Sequence, residues 1–257
     1  MTRMWRAPIV LASVLALAAA KPAATADIKI LSGSAIEPAM LELIPKFEQS
    51  TGNKVNFDFD GTIGAMTQRV REGETADVLI VSGPQIATLV KENKILAGSW
   101  ADIAKVGVGV FVRKGASKPD ISTIEAFKRA MLAAKSIGWN DPAAGAPVSI
   151  YMLGVFERLG MAEEMKPKTV AFKRRSERFA AIARGDVEIG FNQISEIIAA
   201  PGVDLVGPLP AAIQNYTLFA GGLVAASKEQ EAGKALLRFI SSRAAQVIWK
   251  AKGFEAP

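Results

Sequence analysis

A two-lobe α/β fold follows from three features of this sequence. Short apolar runs alternate with segments of helical period from Asp27 onward. Two of the runs, ADVLIVSG and VEIGFNQ, are continuously apolar in the way of strands covered on both faces. Two further strand-like segments stand where the chain would cross from one half to the other and back.

The elements follow in order. IKIL, Ile28 to Leu31, is a β-branched run too short for a helix and stops at Gly33. Met40, Leu41, Ile44 and Phe47 then recur as an apolar helical face, with Ser34 at the N-cap position and Pro38 in the first turn. Asn53 to Phe59 turns Val55, Phe57 and Phe59 to one side, and GTIGAM opens a second loop-to-helix junction running through Val70. Ala76 to Gly83 is a buried strand, followed by a helix from Gln85 to Glu92. Val106 to Gly115 is a long crossing strand, and Ile121 to Leu132 a helix with a capping box from Ser122 to Glu125. In the second half SIGWND is a strand, PAAGAP a loop, Val148 to Leu159 a helix, and KTVAFK a strand. SERFAAIARG is a helix stopped by Gly185, and Val187 to Gln193 is a buried strand running into the helix SEIIAA. Leu218 to Ser227 returns to the first half, and Glu229 to Lys252 supplies one or two terminal helices. The expected organisation is a first lobe of residues 27–110 and 217–257 with a second lobe of 111–216 inserted.

Residues 1–26 read as a secretory signal peptide: Arg3 and Arg6 precede an apolar run from Pro8 to Ala20, and Ala24-Thr25-Ala26 supplies small residues for cleavage. The uncharged run is shorter than the roughly 20 residues that span a bilayer, so export to the periplasm is favoured over anchoring. Removing Arg3, Arg6 and Lys21 lowers the formal charge from +6 to +3, too mild to argue for nucleic acid. The chain has no Cys and no His. It therefore lacks disulfides, a thiolate nucleophile, the usual general base and the commonest metal ligand. No catalytic residue, metal or cofactor is expected, and the expectation is a binding protein, not an enzyme. Asp58 and Asp60 alternate on one side of a strand, as an ordinary polar face does.

In such sheets ligands lie outside the carboxyl ends of the strands. Small or polar residues stand there at Ser32 to Ala35, Gly61 to Ala65, Ala144 to Ser149 and Asn192 to Ser195. Their convergence gives a cleft of N–H groups and hydroxyls suited to an anion, closing by a hinge. From its local context Ser34 either caps its helix or serves that cleft.

SGSAIEPAMLELIPKFEQSTG, TQRVREGETADVLIVSG, DPAAGAPVSIYMLGVFERLG, ARGDVEIGF and AAQVIWKAKGF, in that order and spacing, resemble the periplasmic molybdate-binding proteins of ABC importers. The resemblance runs over nearly all of the chain after residue 26. It implies the type II periplasmic-binding-protein fold, each lobe a mixed sheet flanked by helices, with two hinge crossings. It also implies a monomer that captures a small anionic ligand and delivers it to an inner-membrane permease and ATPase. The family's pocket consists of neutral donors around a tetrahedral dianion. Carried over, its first serine falls on Ser34. The second junction falls on Ile63, flanked by Thr62 and Gly64, where the family often has serines. The second-lobe helix start falls on Val148 with Ser149 beside it, a backbone donor falls near Arg175, and a tyrosine position falls on Gln193.

These departures have chemical consequences. Gln193 accepts as well as donates, and Arg175, if inward, offers a planar grip for a carboxylate. Lys173, Arg174 and Arg178 read as a solvated helix start. The ligand is thus a molybdate- or tungstate-type oxyanion or an organic di- or tricarboxylate. A periplasmic sensor domain and a Ser34-dependent enzyme are the remaining readings.

Overall fold

The computed structural model describes residues 25–144 and 146–257. The segment expected to be a signal peptide, 1–26, lies outside the described residues except for its last two. From there the chain forms β1 (Asp27–Ser32), α1 (Glu37–Thr51), β2 (Lys54–Asp58), α2 (Ile63–Arg71), β3 (Val78–Ser82) and α3 (Gly83–Lys91). Next come β4 (Ala101–Arg113), α4 (Ile124–Ala133), β5 (Ile137–Asn140), α5 (Pro147–Arg158), α6 (Ala162–Met165), β6 (Thr169–Phe172) and α7 (Arg175–Arg184). The chain continues through β7 (Ile189–Gln193), α8 (Ile194–Ala199) and β8 (Val203–Pro208), and ends in β9 (Tyr216–Leu223), α9 (Gln230–Ile240) and α10 (Arg243–Ala251).

The strands hydrogen-bond in the order β2-β1-β3-β9-β4-β7-β5-β6, with β8 also on β4. In the first lobe β1 pairs parallel with β2 and β3, and β9 runs antiparallel to β3. In the second, β5 pairs parallel with β6 and β7. β4 belongs to both: Ala101 to Gly107 pair with β9, whereas Val108 to Arg113 pair with β7 and β8. At the switch the Gln214 carboxamide brackets Val108. The Val108 N–H donates to Gln214 Oε1 at 2.9 Å, and Gln214 Nε2 donates to the Val108 carbonyl at 3.0 Å. Gly107 makes room for it, since a Cβ there would sit 3.0 Å from Gln214 Nε2. The two crossings are thus tied to each other where the lobes meet.

Each lobe carries apolar residues on both sheet faces, as continuous apolar strands require. In the first, Ile28, Ile30, Phe47 and Trp249 pack under α1, α9 and α10, while Leu31, Leu79, Val81 and Leu89 pack under α2 and α3. In the second, Phe127, Phe156 and Phe191 lie on the α4–α5 side, and Phe111, Phe179 and Ile182 lie under α7 and α8.

Three local expectations need correction. The buried stripe of α1 is Ala39, Met40, Leu43 and Phe47, leaving Leu41 exposed and Ile44 half-buried. Met40, Leu43 and Phe47 at spacings of three and four already complete one stripe, so Leu41 falls about 100° off it. Helix α4 is capped by Thr123, which accepts from the Ala126 N–H at 3.1 Å; Ser122 is held instead by Asp120. Strand β8 and the short α6 also lie where no element was expected; β8 carries Gly207 and Pro208, which weaken a strand pattern.

Helix α2 is fixed to the sheet at its far end by charge. Arg69 donates to Asp58 at 2.6 Å and to Glu74, which also accepts from Lys29 at 2.9 Å. Hydrogen bonds from Arg69 and then Lys29 pull the Glu74 carboxyl down to about 2. Its folded value lies below the roughly 4.3 of an unfolded Glu. The contribution is therefore complete above that value and is lost as pH falls toward 2. Arg69→Ala is expected to cost about 1 kcal/mol at neutral pH. The gap between its thermal midpoint and that of the wild type should narrow as melts are repeated from pH 5 to pH 2.

Candidate functional site

The first lobe's wall begins where β1 ends. Ser34 opens a 3-10 turn, Ser34–Ile36, whose N-cap is Gly33 without a side-chain bond. Ser34 therefore does not cap its helix. Its Oγ donates across the lobe boundary to Glu196 Oε1 at 2.9 Å. Thr62, by contrast, is a cap: its hydroxyl accepts from the Ala65 N–H at 3.1 Å at the start of α2. Ile63 lies on Gly33, its Cγ1 2.9 Å from where a Cβ would be, so the first two junctions are in contact. Around Gly64 the nearest such atom is Thr62 Oγ1 at 3.8 Å, which leaves that backbone open.

From the second lobe, α5 presents Val148 and Ser149 in its first turn after Pro147. Two of its N–H groups thus lack intrahelical partners. Val148 is half-buried against the core; Ser149 is buried, and its hydroxyl has no hydrogen-bond partner. Gln193, at the end of β7, donates from Nε2 to Thr217 Oγ1 at 3.1 Å on β9, so its amide spans the hinge. Arg175, the first residue of α7, turns inward. Its guanidinium bonds the Glu196 carboxylate, and Glu37 of α1 lies 3.9 Å away. Ser195 completes the seam by donating to the Ala35 carbonyl at 2.9 Å.

The structure thus unites Ser34 and Arg175 through Glu196, with Thr62, Ile63 and Gly64 adjoining through Gly33. Val148 and Ser149 line a separate stretch of the second-lobe wall. A cavity of about 510 Å³ opens between α1, α7 and α8, lined by Glu37, Leu41, Arg175, Phe179, Glu196 and their neighbours; of the site residues predicted from sequence only Arg175 lines it. The exposed Leu41 is accounted for here. Burial holds the Glu37 carboxyl above its ordinary value, with Arg175 opposing and Glu196 adding to the effect. Among the described residues no group of His, Cys, Asp and Glu is arranged to hold a metal. No described helix is long and apolar enough to cross a membrane.

Of the KRRSER cluster, Arg174 is exposed on Glu177, as a solvated helix start requires. Arg178 overturns that reading: it is 1% exposed, with its guanidinium 5.8 Å from the Phe111 ring centre and 5.2 Å from that of Phe179. Burial pushes its pKa down to about 10, partly offset by Glu196. The signal was present in the sequence, because Arg178 stands four residues before Ile182 on the apolar stripe of α7. Glu196 and Glu37 were also missed. Glu196 carried a signal of its own, a lone carboxylate in the apolar run following a buried strand.

Removing one member of a largely buried ion pair costs more than the pair contributes, because the partner is stranded. Glu196→Ala leaves Arg175 and Ser34 without their acceptor. It is expected to lower stability by about 1 to 2 kcal/mol, the partial exposure of Arg175 limiting the loss, as read from the urea midpoint at unchanged slope.

The family model for bacterial extracellular solute-binding proteins matches residues 28–255. An aconitate isomerase from a Pseudomonas species is 33% identical over 231 residues, covering 88% of this chain and 86% of that protein. The molybdate-binding protein ModA of Rhodobacter capsulatus is 28% identical over 254 residues, covering 95% of this chain and 94% of its own. Among solved structures, the Azotobacter vinelandii periplasmic molybdate-binding protein superposes with a TM-score of 0.72 at 18% identity, over 90% of this chain and 99% of that one. At that identity the likeness speaks for the fold, which is the type II periplasmic-binding-protein fold.

Proposed function

The chain belongs to the family of bacterial extracellular solute-binding proteins, and we propose that it captures a small organic di- or tricarboxylate between its lobes and delivers it to an ABC permease and ATPase. In this reading residues 1–26 direct export to the periplasm, 27–110 with 217–257 form one jaw, and 111–216 the other.

The observation that carries the reading is the seat of Glu196. A carboxylate held at once by the Arg175 guanidinium and the Ser34 hydroxyl, one from each lobe, marks a place where a ligand carboxylate fits in exchange. The cavity of about 510 Å³ beside Arg175 and Glu196 leaves room for either a carboxylate or a tetrahedral oxyanion to reach them. Polarity favours the carboxylate reading for those acids that bear a hydroxyl or keep one carboxyl protonated: Glu37, Glu196 and the Gln193 amide are acceptors, useful only to a ligand with such a proton. Molybdate and tungstate, suggested by the molybdate-binding relatives, offer no such protons when fully ionised.

Glu37 favours a second reading. A carboxyl raised by burial and set beside a guanidinium is a candidate general base. With an unsaturated tricarboxylate bound, it would take a proton from the allylic carbon and return it at the other end of the double bond, without a cofactor. The relative named aconitate isomerase supports this.

The test is thermal unfolding of residues 27–257, refolded from denaturant to strip carried solute, against molybdate, tungstate, sulfate, phosphate, citrate, trans-aconitate, succinate and malate. A solute at a hundred times its dissociation constant adds about 2.7 kcal/mol, several degrees in a chain of this size. A shift with carboxylates alone is expected; a shift with molybdate and tungstate alone sinks the carboxylate reading. Proton NMR of cis-aconitate with the protein decides the second reading, since only turnover produces the trans isomer faster than buffer does. Ser34→Ala is expected to weaken the active acid by about 1 to 3 kcal/mol with the fold retained, and calorimetry showing wild-type affinity would remove Ser34 from the site.

A further inference from the structure

We infer that Arg178, with Asn140 and Asn192, forms a second carboxylate seat in the second lobe, so that the solute must carry at least two carboxylates. The inference rests on the carboxylate reading above and specifies which acids satisfy it.

The seat is assembled by strand register. β5 and β7 run parallel with Ile137 opposite Ile189 and Gly138 opposite Gly190. Side chains alternate, so Ile137, Trp139, Ile189 and Phe191 enter the core under α4 and α5. Gly138, Asn140, Gly190 and Asn192 therefore face α7. Two residues beyond the last paired position, Asn140 and Asn192 lie on that same face at the carboxyl ends of the two strands, where this fold class binds ligands. Arg178 comes down on them from α7: its Cγ is 3.5 Å from where a Cβ on Gly138 would be, and its guanidinium lies near the Phe111 ring, which covers Gly190.

Polar atoms in this layer lack partners. Arg178 Nε and Nη2, Asn140 Oδ1 and Asn192 Nδ2 are all buried without a hydrogen bond, although Arg178 is 1% and Asn192 6% exposed. Nε and Nη2 are the two donors along one edge of a guanidinium, the edge that grips a carboxylate with parallel bonds. Asn192 Nδ2 adds a third donor. The nearby carboxylate, Glu196, is already taken by Arg175 and Ser34. A buried cation with a free fork is costly to keep and is explained by an anion that arrives from outside. Arg175 and Arg178, one turn apart on α7, then receive two carboxylates of one molecule.

The experiment measures calorimetric affinity of the full chain after residue 26, and of its Arg178→Met and Arg178→Lys variants, for tricarballylate, trans-aconitate and butyrate. The wild type is expected to bind the tricarboxylates and to discriminate strongly against butyrate. Arg178→Met should lose about 100-fold for the tricarboxylates, and with it most of that discrimination, while its ligand-free thermal midpoint stays equal or rises. Arg178→Lys keeps the charge without the fork and should lose about tenfold; it carries the test if the Met variant does not fold. Folded variants with wild-type affinity and discrimination would leave Arg178 a structural filler and overturn the seat while the carboxylate reading stands. A wild type that binds no carboxylate overturns both.

Discussion

The architecture depends on β4 serving two lobes at once. Up to Gly107 its hydrogen bonds go to β9, and from Val108 onward to β7 and β8, so the change of partner sheet falls at one peptide. Gln214 holds that peptide by both its N–H and its carbonyl, which ties the outgoing crossing to the returning one. Hinges work when a few residues absorb the change while the flanking elements stay rigid. Here the flanking elements are strands packed on both faces, which cannot bend without opening close-packed cores. The Gln193 amide, reaching Thr217 beside the same switch, ties the end of β7 to the returning crossing.

Beyond the hinge the lobes meet mostly through α8. Its first turn supplies Ser195 to the Ala35 carbonyl and Glu196 to Ser34, while Ile194 packs on the first-lobe core. A short helix from one lobe therefore provides the polar and apolar seam with the other. Charges there are few and unevenly covered: Glu196 is buried, whereas Arg175 is 38% exposed. The same pairs at an exposed surface would contribute little. The burial of Glu196 makes its match with Arg175 matter, and the burial of Arg178 makes its lack of a partner informative.

Much of the fold was legible because the signals were periodic. ADVLIVSG and VEIGFNQ became β3 and β7, and Gly185, with a φ of 86°, ends α7 as its position foretold. Caps were harder to read, because Ser122 and Thr123, or Ser34 and its neighbours, are chemically equivalent in sequence; which hydroxyl turns to the backbone depends on a fraction of a turn. Ser34 and Arg175 were singled out from resemblance and junction chemistry, and the structure brings them together on Glu196. Glu37 was not, since its partner Arg175 stands more than a hundred positions away; Glu196 was passed over although a lone carboxylate in that apolar run marks it. Arg178 was misread for a different reason. A cluster of basic residues suggests solvent, and only the stripe it shares with Ile182 shows that one of them faces inward.

The seat of Glu196 also bears on how selectivity arises. A ligand carboxylate that replaces Glu196 on Arg175 and Ser34 exchanges one charge-assisted contact for another of the same kind. That exchange alone supplies little differential free energy, and a solute shifts a conformational balance only by its differential affinity for the two states. On the proposed reading the gain comes from what the protein cannot supply to itself, the unpartnered fork of Arg178 and the free Asn192 amide. The internal carboxylate then acts as a filter. An anion bearing one carboxylate competes with Glu196 on nearly equal terms, whereas one bearing two reaches the buried cation as well, and only that second contact favours the loaded state.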